Sequence, residues 1–270
     1  MKKSNKNFIR YNKLTILIFL YLFLLISSCS SKTTNTPTVD SQQSKMATAT
    51  KELGEAFMAE GNYTAALNEF LKAEKITPSD PYLHNDLGLT YMAKKRFDLA
   101  EEHFKKAVAL NPDYIPAKNN LGSAYLKQQK WELAISCFKE ISDNLLYATP
   151  HYPLSNLGWA YLGKRDFSLA KKHFSMSLEA QPGFINAIHG LATTYMENSE
   201  LQSAFNVLSE GIKKNSGKGG GVAILYADMA KVYEKNRQFD KAKENWKKVI
   251  ELAPSGSPLA EEANQKINQL

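Results

Sequence analysis

A Leu-Gly pair with an aromatic residue three positions later recurs along this chain at almost constant intervals. The copies are Leu53-Gly54 with Phe57, Leu87-Gly88 with Tyr91, Leu121-Gly122 with Tyr125, and Leu157-Gly158 with Tyr161. Two weaker copies follow, Leu191-Ala192 with Tyr195 and Met229-Ala230 with Tyr233. The small residues are spaced by 34, 34, 36, 34 and 38 positions. A second set keeps step: Ala66/Phe70, Ala100/Phe104, Ala134/Phe138, Ala170/Phe174, Ala204/Leu208 and Ala242/Trp246. Pro81 to Tyr114 shows one whole unit. A helix-like run breaks at Lys94-Lys95-Arg96, and a second runs to Asn111-Pro112.

The residue types have physical reasons. Gly88 and Ala100 are small enough to let two helices approach, and Tyr91 and Phe104 fill the space on either side. Pro112 cannot continue a helix interior, so it closes the second helix and turns the chain. One such unit cannot bury its own apolar face, so it requires neighbours. The pattern resembles the tetratricopeptide repeat, W-x2-L-G-x2-Y, then A-x3-F, then P, with His84 standing where that pattern has Trp. The resemblance implies an all-α tetratricopeptide-repeat superhelix of about six helix-turn-helix units, spanning 47–80, 81–114, 115–148, 151–184, 185–218 and 223–256. Residues 257–270 carry Leu259, Ala263, Ile267 and Leu270 at helical spacing, with Ser257 as N-cap and Pro258 in the first turn. They are expected to form a helix that caps the last unit.

The net charge of +7 does not describe the array, because Lys2, Lys3, Lys6, Arg10 and Lys13 crowd the first thirteen residues. Without them 29 basic residues stand against 27 acidic ones, which excludes a strongly basic nucleic-acid-binding face. The basic start leads into an apolar run from Leu14 to Ile26, too short for a standard spanning helix of about 20 residues. Ile26-Ser27-Ser28-Cys29 then resembles a lipobox, which implies a signal peptide over 1–28 and a lipid on Cys29. Two or more acyl chains, at about 0.8 kcal/mol per buried CH2, hold a protein stably on a bilayer. Ser30 in place of Asp favours the periplasmic face of an outer membrane. Residues 29–46 are almost free of apolar side chains and are expected to be a flexible tether.

No catalytic constellation, phosphate loop or dinucleotide fingerprint is present, so neither an enzyme nor a cofactor beyond the lipid is expected. No metal site is expected. His103, Cys137 and His173 hold equivalent places in successive units, which helix packing sets about 8–10 Å apart, too far for one zinc ion. A protein partner is expected instead. At about 100° per residue, the first helices present a face opposite the Leu-Gly-aromatic stripe. That face carries Tyr82, Asn85, Leu89 and Met92, then Asn119, Ser123 and Leu126, then Tyr152, Ser155, Trp159 and Leu162, and then Asn186, His189, Thr193 and Met196. Asp86, Asn120 and Asn156 run beside it. An apolar stripe outside the repeat core, flanked by amides able to pair with a peptide backbone, predicts a partner-binding groove.

Lipidated start, polar tether and six repeats together resemble the type IV pilus biogenesis/stability lipoproteins, the pilotins of PilF/PilW type. The more particular marks are the joint Leu146-Tyr147-Ala148-Thr149-Pro150 followed by Ser155-Asn156-Leu157-Gly158, and the Gly219-Gly220-Gly221 before the sixth unit. The resemblance implies binding of secretin subunits, their targeting to the outer membrane and their multimerisation. The alternative is an envelope scaffold that recruits cell-wall or outer-membrane assembly proteins.

Overall fold

The computed structural model describes residues 39–143, 148–216 and 220–270. The expected signal peptide, Cys29 and the tether as far as residue 38 lie outside the described residues, as do 144–147 and 217–219 of the two irregular joints. The chain divides into a unit Met1–Gln43 and a unit Ser44–Leu270, and apart from the start of α1 everything discussed below lies in the latter.

Thirteen α-helices and no strands occur among the described residues. Six antiparallel pairs follow in order: α1 (Val39–Ala59) with α2 (Tyr63–Ile76), α3 (Pro81–Ala93) with α4 (Phe97–Leu110), and α5 (Ile115–Lys127) with α6 (Trp131–Ser142). Then come α7 (His151–Gly163) with α8 (Phe167–Ala180), α9 (Ile185–Glu197) with α10 (Leu201–Lys214), and α11 (Ala223–Lys235) with α12 (Phe239–Leu252). A 3-10 turn, Gly220–Val222, precedes α11, and α13 (Pro258–Gln269) closes the array. The all-α repeat architecture expected from the period is the one observed.

The first four units are built the same way, and the last two replace the pair by Ala192 with Leu208 and Ala230 with Trp246. A Cβ at Gly88 would lie 2.4 Å from the Phe104 ring, and Gly54, Gly122 and Gly158 meet Phe70, Phe138 and Phe174 equally closely. The phenyl ring of the second helix therefore sits where the first helix has no side chain. Phe70, Phe104, Phe138, Phe174 and Trp246 are all fully buried.

The turn inside each unit is also repeated. The backbone N–H that opens the second helix donates to the carbonyl of the repeat aromatic: Asn62 to Phe57, Arg96 to Tyr91, Lys130 to Tyr125, Asp166 to Tyr161, Glu200 to Tyr195 and Gln238 to Tyr233, at 2.8–2.9 Å. This closure needs a left-handed residue just before it. Gly61 supplies it in the first unit, whereas Lys95, Gln129, Arg165, Ser199 and Arg237 supply it in the others at φ 56–62°.

The expected tether is corrected at its end: α1 begins at Val39 rather than after residue 46. Ala47 is buried, and the Gln, Lys and Met just before it are good helix formers. Extending a helix that packing has already nucleated costs little per residue. At the other end Ser257 caps α13 by accepting from the Ala260 N–H, and α13 packs Leu259, Ala263 and Ile267 against Trp246 and Val249.

Candidate protein-binding groove

The first helices α3, α5, α7, α9 and α11 lie side by side, and one polar seam joins them. Asn120 Nδ2 donates to Asn85 Oδ1 at 2.9 Å, and Asn156 Nδ2 donates to Asn119 Oδ1 at 3.2 Å. His189 Nδ1 lies 2.5 Å from Asp228 Oδ2, and Lys51 Nζ lies 3.9 Å from Asp86 Oδ2. The rule is constant: the third residue before the small position pairs with the second residue before the small position in the next unit. One joint breaks it. Ser155 is the donor place in α7, but α9 answers with Gly190. A Cβ at Gly190 would lie 2.2 Å from Phe174, so the ring of α8 excludes any side chain there. The Ser155 hydroxyl is buried with no hydrogen-bond partner among the described residues.

Trp159 spans this joint instead. Its ring stands edge-on to Phe174 at 5.4 Å, lies 5.2 Å from the His189 ring, and its Nε1–H donates to Asn186 Oδ1 at 3.1 Å. Around it opens a groove of about 790 Å³, lined by Ser123, Leu126, Asn156, Trp159, Leu162, Asn186 and His189 of the first helices. Lys127, Arg165 and Glu197 stand at its rim, and Trp131 from the start of α6 lies against Gly163. This is a concave site in which two tryptophans and two leucines stand among amide, hydroxyl and charged groups, a mixture suited to recognition. Nothing in it resembles a general base beside a nucleophile.

The expected site residues are thus divided. Ser123, Leu126, Asn156, Trp159, Leu162 and His189 meet in one groove. Tyr82 is exposed further along the array, edge-on to Tyr114 at 4.9 Å, and Tyr152 is exposed against Phe184 at 5.2 Å.

Three expectations are corrected. Asn85, at 5% exposure, is buried and its amide is used by Asn120, while Asn119 is used by Asn156. These side chains join units rather than offer themselves to a peptide. Leu162, at 7% exposure, belongs to the core, and Leu89, Met92, Leu126 and Trp159 are partly buried against it. The neighbouring first helix covers a face that a single helix presents as free. Asp86 is half-buried, and burial pushes its carboxyl up to about 6 against the pull of Lys51.

Sequence reasoning missed Trp131. The signal was available, because Tyr63, Phe97, Phe167, Leu201 and Phe239 hold its place in the other units. Cys29 lies outside the described residues.

Tetratricopeptide-repeat family models match residues 54–95, 81–114 and 223–255. No curated protein matches the sequence significantly. Among solved structures, PilF of Pseudomonas aeruginosa is 22% identical and aligns with a TM-score of 0.61 over 83% of this chain and 99% of its own. PilW, a widely conserved type IV pilus biogenesis factor, is also 22% identical, with a TM-score of 0.67 over 80% of this chain and 97% of its own. A tetratricopeptide repeat protein from Parabacteroides merdae is 15% identical, with a TM-score of 0.69 over 82% of this chain and 83% of its own. Among the described residues searched, no helix is long and apolar enough to cross a membrane. The chain has an all-α tetratricopeptide-repeat fold and resembles PilF and PilW in that fold.

Proposed function

We propose that this chain is a lipid-anchored assembly factor of pilotin type. Cys29 carries the lipid and fixes the protein to the periplasmic face of the outer membrane. The groove between α5, α7 and α9 holds an exposed segment of a secretin subunit, keeping its apolar surface from aggregating until the ring assembles. The observation that carries this reading is the aromatic groove around Trp159, placed where the seam between units is interrupted. The likeness to PilW, a pilus biogenesis factor, supports the choice of partner.

The test is the amount of detergent-resistant secretin multimer in outer membranes with and without this gene. Loss of multimer with monomer retained supports the proposal, and unchanged multimer overturns it. Trp159→Ala combined with Trp131→Ala should weaken secretin binding at least about 30-fold, because even one Trp anchor typically contributes about 2 kcal/mol or more. Helix content by circular dichroism should stay unchanged. Leu162 is left intact, because its substitution would damage the core.

A further inference from the structure

Glu74, His84 and His103 come from three different helices, α2, α3 and α4 respectively, and converge at the joint of the first two units. One potential ligand atom from each lies within 4.8 Å of the others. His84 Nδ1 is 3.2 Å from His103 Nδ1 and 3.7 Å from Glu74 Oε1. Both rings are buried, and His84 occupies the place where the repeat pattern has Trp.

We propose that these three side chains bind a divalent transition-metal ion of zinc type. Ligands about 2.0–2.1 Å from a tetrahedral zinc stand about 3.3 Å apart, close to the 3.2 and 3.7 Å that separate His84 Nδ1 from His103 Nδ1 and Glu74 Oε1. The tautomer of His84 is already fixed. Its Nε2–H donates to the Pro78 carbonyl at 2.8 Å, so in the neutral ring the lone pair lies on Nδ1, facing His103 and Glu74. Orientation of a ligating imidazole through its far nitrogen is what metal sites require. His103 is held from its other face by the Tyr91 ring, at 5.3 Å.

Without metal, two facing Nδ1 atoms can be satisfied only if His103 donates to His84. With metal, both lone pairs and the carboxylate point at one ion. Lys106 Nζ, 3.3 Å from Glu74 Oε1, can stay on the carboxylate, which has two oxygens. The Glu74 side chain is 22% exposed and gives the ion a way in. A bound ion would fasten the first unit to the second.

The full chain in detergent, without a histidine tag, is equilibrated with Zn²⁺, dialysed and assayed for metal. Co²⁺ is then used to read coordination by visible absorption. The expected result is one zinc per chain, a rise in Tm and a four-coordinate cobalt spectrum. Glu74→Gln, His103→Gln and His84→Trp should each weaken binding roughly 100-fold, since each removes a ligand. His84→Trp restores the residue of the repeat pattern. Should it fail to fold, Glu74→Gln at the edge of the site decides alone. Cys137→Ser should keep the metal. No retained zinc, retention unchanged in the ligand variants, or loss in Cys137→Ser would overturn the assignment.

Discussion

The joint between the third and fourth units and the joint between the fourth and fifth are built from the same backbone but closed differently. In the former, Asn156 reaches Asn119, and the first helices are tied by a side-chain hydrogen bond. In the latter, Ser155 faces Gly190, and Trp159 takes over the crossing through Asn186. The contrast shows how a repeat array makes a site. Packing inside each of the first four units is kept by the phenyl-on-glycine contact, so the seam above it is free to vary. Where a small residue and a large aromatic replace the amide pair, a groove forms without loss of the core.

The hardest way to break the comparison is to force the regular seam on the irregular joint. Gly190→Asn would restore an amide opposite Ser155, but its Cβ would meet Phe174 at 2.2 Å. The expected cost is about 3 kcal/mol or more, read as a fall in denaturation midpoint, and a neutral result would mean that Phe174 does not exclude the side chain.

The seam can instead be regularised at its first joint. Folding raises the Asp86 pKa from 3.8 to about 6, so the native state binds its proton more tightly than the unfolded chain. Stability from this group is present below pH 4 and is lost as pH rises toward 6. Asp86→Asn should therefore stabilise the protein by about 2 kcal/mol above pH 6, with the gain gone below pH 4, in urea unfolding at several pH values. Asn120 and Asn156 hold the equivalent place in the next two units.

Deleting one regular pair is milder. Asn85→Ala should cost about 1–2 kcal/mol by leaving the Asn120 amide unpaired, and a double-mutant cycle with Asn120→Ala should show coupling. The smallest effect is expected at the irregular joint itself. Ser155→Ala removes a buried hydroxyl that has no partner among the described residues, so thermal unfolding should shift upward by an equivalent of about 0.5 kcal/mol. A clear destabilisation there would show that the hydroxyl is satisfied.

The fold is legible in the sequence because the constraint is local and repeated. A glycine opposite a phenylalanine at fixed spacing specifies how two helices meet, and each further copy confirms it. The groove is legible only in part. A helical wheel places Trp159 and Leu126 opposite the Leu-Gly-aromatic stripe, and both line the groove while packing partly on the core. It cannot see the adjacent first helix, which buries Leu162 and engages Asn85 and Asn119. The Glu74–His84–His103 cluster was invisible for a similar reason. His84 reads as a departure from a pattern, and its meaning depends on two residues that only packing brings to it.

The five charged or polar residues that take left-handed backbone at the turns have a practical consequence. An L-residue in that conformation costs about 1 kcal/mol relative to glycine, and Gly61 shows that glycine fits the same place. The sites lie a whole unit apart, so their contributions should add. This protein therefore has headroom. Lys95, Gln129, Ser199 and Arg237 offer four positions for raising its heat resistance without altering the groove, whereas Arg165 stands at the rim and is best left in place.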